Sequence, residues 1–324
     1  MFDNVAGYAV NTAFSFLAVI PILFFWLRSL QQRKKSPIVS APVRLARRFV
    51  RASPPLYALG AILGGTFTAI IAAEGDDTAD DAIVYVNLVS GLVLYAADIG
   101  ITLALYLCTL GSLYAATGRM TWWRLLRLDA CVGGLLLLVL DLAFFGRNVA
   151  LANGATPTRI DRGGILWLPL IIDLTLLAVT VGSAATLVYV RGKLGRKGAG
   201  LAGDLGRIPT LLLVASALWI IRCAYAVATT IKTLIPDWTE NEYQAQLIVY
   251  PMLELWIGAS VLALLTMVVR NAVWTDPAAR LTASAAMAYD GEEYPRQPPP
   301  AQGGYYSDER GHQMDSRGPY GDNK

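Results

Sequence analysis

The sequence predicts an all-α protein: a polytopic bundle of seven transmembrane helices, N-terminus outside and C-terminus inside, followed by a disordered C-terminal tail. Three observations carry this. Of the 324 residues, 55% are hydrophobic and only 16% charged, with a mean hydropathy of +0.47, whereas soluble domains average roughly 25% charged residues. The apolar residues run in long stretches, each near the about 20 residues that cross a bilayer as a helix. The loops between them carry charge of nearly alternating sign. A soluble enzyme has no use for so many continuous apolar runs.

The first span is Val5–Leu27, and its basic cluster follows the apolar run, as in an uncleaved first span. Pro54–Ala73 is the second and Ala82–Ala116 the third. The third is longer than a bilayer needs and is expected to tilt, project or break near Gly111. Leu128–Phe145 is the shortest and contains Asp141. Gly164–Val190, Ile208–Ile231 and Ala245–Val269 complete the set.

Loop charge orients the chain. The first loop holds Arg28, Arg33, Lys34, Lys35, Arg44, Arg47, Arg48 and Arg51 with no acid, while the second holds Glu74, Asp76, Asp77, Asp80 and Asp81. Arg119, Arg124 and Arg127 make the third basic, and Arg191, Lys193, Arg196, Lys197 and Arg207 the fifth. Asp237, Glu240 and Glu242 make the sixth acidic. Only the fourth, with Arg147, Arg159 and Arg162, departs from the pattern. The positive-inside rule then places loops one, three and five in the cytoplasm.

Two stretches read as membrane-interface anchors. In Ala41–Ala52, Arg44, Arg47, Arg48 and Arg51 recur at helical spacing with Val43, Ala46 and Val50 on another face, suited to anionic headgroups. A solvated basic loop serving only as a topology signal reads as well. Trp122 and Trp123 beside Arg124 fit an aromatic belt. Residues 1–270 form the transmembrane domain. Residues 271–324 lack sustained apolar periodicity and are expected to form a disordered cytoplasmic tail, in which Gln297–Gln302 suits polyproline II and a groove-type cytoplasmic protein partner, a tail without a specific partner being the plainer reading.

Five ionisable residues lie within spans, where each costs about 2.5–3.5 kcal/mol on insertion scales unless it faces protein or water. They are Asp98, Asp141, Asp173, Arg222 and Glu254. At about 1.5 Å per residue, Asp141 stands roughly 21 Å above Arg127 and Arg222 roughly 22 Å above Arg207. Asp173 and Glu254 lie about 14 Å below the outer ends of their spans. These four therefore share a level, and Asp98, near the centre of its long run, joins them or sits slightly deeper, which predicts one polar chamber opening outward between helices three to seven. Arg222 is its hub, with a guanidinium fork able to hold a carboxylate bidentately. Glu254 is its expected partner and Asp173 the rival. Tyr225 and Tyr250 stand one turn from Arg222 and Glu254. One arginine cannot neutralise four acids, so some are protonated or hydrated. The plainer reading is an interhelical clamp without a ligand. Pro169 and Pro251 lie beside this layer and Gly60–Gly64 give a small-residue face for packing inside the bundle.

Absent motifs narrow the function. The seventh span has no lysine for a retinal Schiff base, the only histidine is His312 in the tail, and Cys108, Cys131 and Cys223 make no metal motif. No catalytic set and no cofactor are expected. A net charge of +3 gives no reason to expect nucleic acid.

Leu218–Tyr225 (Leu-Trp-Ile-Ile-Arg-Cys-Ala-Tyr) followed by Tyr250–Leu255 (Tyr-Pro-Met-Leu-Glu-Leu) resembles the fungal seven-helix integral membrane proteins. That broad group includes the lipid-translocating exporters and the rhodopsin-like proteins. The resemblance covers the seven-helix layout, and in residues the last two spans. It implies that Arg222, Tyr225 and Glu254 are family-level polar residues, and a plasma-membrane or endomembrane protein linked to lipid or stress responses, or receptor-like. A receptor-like or sensory protein is the first expectation, a lipid or small-amphiphile transporter the second, and a structural membrane protein the third.

Overall fold

The computed structural model describes residues 2–31, 41–74, 81–117, 123–154, 167–195, 204–234 and 240–271. The chain divides into two units, Met1–Asp290 and Gly291–Lys324, and the second lies outside the described residues, as do Trp122 and the whole tail beyond Asn271.

The described residues are all helical: α1 (Phe2–Leu30), α2 (Ala41–Glu74), α3 (Asp81–Thr117), α4 (Trp123–Ala152), α5 (Leu168–Gly195), α6 (Asp204–Leu234), α7 (Glu240–Tyr250) and α8 (Ile257–Arg270). A π-helical turn, Pro251–Trp256, joins α7 to α8, and these three form the seventh span. Seven helical segments are long and apolar enough to cross a membrane. Their outward faces carry Leu17, Ile20 and Phe24 on α1 and Leu128, Leu135 and Leu136 on α4, all exposed. So large an apolar surface suits acyl chains rather than water. The protein is a multi-pass membrane protein.

The α3 helix is the axis of the bundle. It packs on α2, α4, α5, α6 and α8, and Ala97, Asp98, Ile99, Ile101, Ala104 and Leu105 bury nearly its whole circumference. Of the options for this long span, a break at Gly111 does not occur: the helix continues to Thr117 with Gly111 buried. An interior glycine costs a helix only about 1 kcal/mol, less than interrupting a packed one. On the periphery, α4 touches only α3 and α5 strongly. It is nonetheless a full span of 30 residues, ended by Gly154 with φ +79°, the left-handed conformation favoured after a helix.

The basic segment read as a surface helix is instead the first turns of α2. Val43, Ala46 and Val50 are buried, Arg44 and Arg48 are exposed, and Arg47 and Arg51 are half-buried. Pro54 and Pro55 lie inside α2, and α1 supplies a donor to backbone they leave open. Pro55 cannot donate to the Arg51 carbonyl, and the Trp26 indole Nε1 donates to it at 3.1 Å. Gly60 and Gly64 face Leu94 and Ser90 of α3, so the small-residue face packs inside the bundle.

Candidate functional site

The charged residues enter the interior from different helices. Asp98 projects from the centre of α3, Arg222 from α6 and Glu254 from the π-helical turn, and each is less than a tenth exposed. The Arg222 Nη2 bridges both acids, contacting Asp98 Oδ2 and, at 2.5 Å, Glu254 Oε2. The expected Arg222–Glu254 pair therefore forms, with Asp98 added. The geometry is not the expected fork: one nitrogen serves two carboxylates, while Nε and Nη1 have no hydrogen-bond partner among the described residues. The guanidinium also lies over the Trp219 ring, 5.2 Å from its centroid, and the Trp219 Nε1 donates to Thr102 Oγ1 at 2.8 Å. Cation–π contact and packing thus fix the base from one side.

Local backbone geometry presents Glu254. Pro251 lacks the N–H that would reach the Leu247 carbonyl, and the Asn11 amide of α1 donates there instead, at 3.0 Å. The turn that follows is π-helical, a widening common where a helix is interrupted for function. Tyr57 of α2, wholly buried, donates its hydroxyl to the Glu254 carbonyl at 2.5 Å. A Cβ at Gly258 would fall on the Tyr57 ring and hydroxyl, so only glycine admits Tyr57 there.

The rival pair, Arg222 with Asp173, is not made. The α5 helix is described from Leu168, about 7 Å before Asp173, and the expected start at Gly164 lies outside the described residues. It accepts from Thr230 Oγ1 at 2.8 Å and from the Tyr95 hydroxyl at 3.5 Å. Thr230 stands about 12 Å along α6 from Arg222, so the acids do not all share one level. Asp141 is buried with Oδ2 lacking a hydrogen-bond partner among the described residues. Asp98 lies within electrostatic reach of Glu254, Asp173 and Asp141, and Asp98 and Glu254 are the two acids in contact with Arg222. Tyr225 is half-buried, its hydroxyl without a hydrogen-bond partner among the described residues, and Tyr250 lies within electrostatic reach of Glu254 and Arg222. Among the described residues no three His, Cys, Asp or Glu side chains are grouped as a metal ion requires.

Two cavities border this layer. One, about 320 Å³, is an apolar cleft between α3, α4 and α5 with Asp129 and Tyr106 in its wall. The other, about 150 Å³, lies between α1, α2, α3 and the seventh span. Neither is lined by Asp98, Arg222 or Glu254, which meet one another in an ionic junction.

Sequence reasoning missed Tyr57, Tyr95, Trp219, Thr230 and Asn11. Trp219 carries a readable signal, since it precedes Arg222 by three residues, as adjacent positions on a helix face do. Compared with known protein families and with curated proteins, the chain matches none.

Proposed function

We propose that this multi-pass protein is a receptor-like or sensory membrane protein whose signal passes through the Asp98–Arg222–Glu254 junction. The observation that carries the reading is the single Arg222 nitrogen shared between α3 and a π-helical turn of the seventh span. A π turn and a regular α-helix differ by one residue in register, so relaxation of Pro251–Trp256 rotates Glu254 away from Arg222. That supplies the two-state element a switch needs. Surplus acid makes the junction sensitive to the loss of any one contact, because a charge left unpaired in a dry interior is costly.

In this reading the basic faces at Arg44 and Arg48 meet anionic lipids, the tail meets a cytoplasmic protein, and the protein resides in the plasma membrane or an endomembrane. The resemblance of Leu218–Tyr225 and Tyr250–Leu255 to the fungal seven-helix proteins agrees with it. A second reading, transport of a lipid or small amphiphile, is favoured by the apolar cleft between α3, α4 and α5, which has the lining of an acyl-chain slot.

The test uses Cys223, buried beside Arg222, in a Cys131→Ser background in reconstituted vesicles. Glu254→Gln should raise the rate at which a small thiol reagent labels Cys223 while helical content is unchanged, and the vesicles should show no lipid flux. Flux of a fluorescent lipid that falls in Glu254→Gln would overturn the sensory reading in favour of transport. Unchanged labelling would reduce the junction to a static clamp.

A further inference from the structure

The smaller cavity has a chemistry distinct from that of the ionic junction. No charged residue is among the described ones that line it. Its polar wall is made of Asn11 and Ser15 from α1, Thr68 from α2, Asn87 and Ser90 from α3, and Tyr250. Thr68 Oγ1 is within 3.0 Å of the Gly65 carbonyl and 2.9 Å of Thr12 Oγ1, its hydrogen bonds lying within the protein. The hydroxyl protons of two others are committed: Ser90 donates to the Gly60 carbonyl at 2.8 Å and Ser15 to Asn11 Oδ1 at 3.1 Å. A hydroxyl has one proton and two lone pairs, so these oxygens face the cavity as acceptors. Asn11 is held in place by its bond to Leu247. The Asn87 amide and the Tyr250 hydroxyl make no hydrogen bond to the described residues and supply the donors. Phe67, Leu94 and Leu255 add apolar side chains to the lining.

A lining that mixes hydroxyls, amides and apolar side chains without a charge fits an uncharged molecule whose polar groups both donate and accept along a carbon chain. We propose that this cavity is a binding site for a small uncharged polyol. Its size agrees: at about 10–15 Å³ for each water-sized group, the volume of about 150 Å³ takes roughly ten non-hydrogen atoms, those of a five-carbon polyol. Space for it exists because Gly91 has no side chain; a Cβ there would meet nothing within 4 Å. The site deepens the sensory reading and rests on it in one respect only. Tyr250 stands one helical turn before Glu254, so a bound polyol that engages the Tyr250 hydroxyl bears on the turn that presents Glu254 to Arg222.

The experiment is calorimetric titration of the full-length protein in nanodiscs with xylitol, with sucrose as an oversized control. Xylitol should give a saturable heat and sucrose none. Gly91→Leu, which fills the cavity, should abolish that heat, and Asn87→Leu should weaken it with the melting temperature unchanged. No saturable heat with xylitol, or a heat unaltered in both variants, overturns the site. If Gly91→Leu fails to fold, Asn87→Leu at the exposed rim decides. Titrating Glu254→Gln separates the two readings. Heat retained there without any change in Cys223 labelling leaves the site and removes the switch. No heat in the parent protein removes the site and leaves the junction as described.

Discussion

The Asn11 amide donates to the Leu247 carbonyl across 236 positions of sequence, at the carbonyl that Pro251 leaves without a helical donor. Trp26 does the same for the Arg51 carbonyl below Pro55. In both cases α1 repairs a proline defect in a neighbouring helix, as a bilayer requires where no water reaches the backbone.

Asn11→Leu should therefore lower stability by about 1–3 kcal/mol, the cost of a buried acceptor left unsatisfied. Pro251→Ala restores the missing N–H, so Asn11→Leu should cost less in that background. Thermal melts of the four proteins in detergent form a double-mutant cycle, and strictly additive losses would show that the two residues do not share the Leu247 carbonyl.

Arg222→Leu should be the most damaging single change in the junction, because it strands the carboxylates of Asp98 and Glu254 in a dry interior. A loss of about 3–5 kcal/mol is the scale for breaking a buried pair from one side. Asp98→Asn or Glu254→Gln alone should cost less, since each leaves Arg222 one acid. The triple neutral variant Arg222→Leu, Asp98→Asn, Glu254→Gln should recover much of the stability lost by Arg222→Leu. A triple variant no more stable than the single one would show that packing against Trp219, rather than charge, governs the site.

The spans were legible because hydrophobicity per residue is a local property that a bilayer reads directly. That Arg222 and Glu254 stand at one depth was legible from helical rise alone, whereas Asp98, near the centre of the long α3, was not fixed that way. The partner of Arg222 was legible only in part, since choosing between Glu254 and Asp173 depends on where α5 starts, which is set by tertiary contacts. Nothing local announces that Tyr57 reaches Glu254, because the signal is a distant glycine, Gly258, that merely leaves room. The surface helix over Ala41–Ala52 misled for a related reason. Its Val43, Ala46 and Val50 stripe suits a bilayer surface and a neighbouring helix equally, and only packing decides.

Orientation follows from charge and is open to a direct check. A cysteine introduced at Asp77 should be labelled on intact cells by a membrane-impermeant maleimide, while one introduced at Arg196 should be labelled only after permeabilisation. The reverse pattern would invert the bundle and place the polyol cavity, bounded by Thr68 and Asn87 near the Glu74–Asp81 end, on the cytoplasmic side.

Gly258→Ala should destabilise the seventh span by about 1–3 kcal/mol, the usual cost of forcing a carbon into a filled core. The added Cβ must displace Tyr57, and with it the hydroxyl that satisfies the Glu254 carbonyl. Tyr57→Leu alone opens space and loses that bond, so it too lowers the melting temperature. Because the shorter side chain also makes room for the new methyl group, the double variant should fall less than the sum of the two. Equal additivity would mean that the π turn keeps its shape without Tyr57, and the presentation of Glu254 to Arg222 would then rest on Pro251 and Asn11.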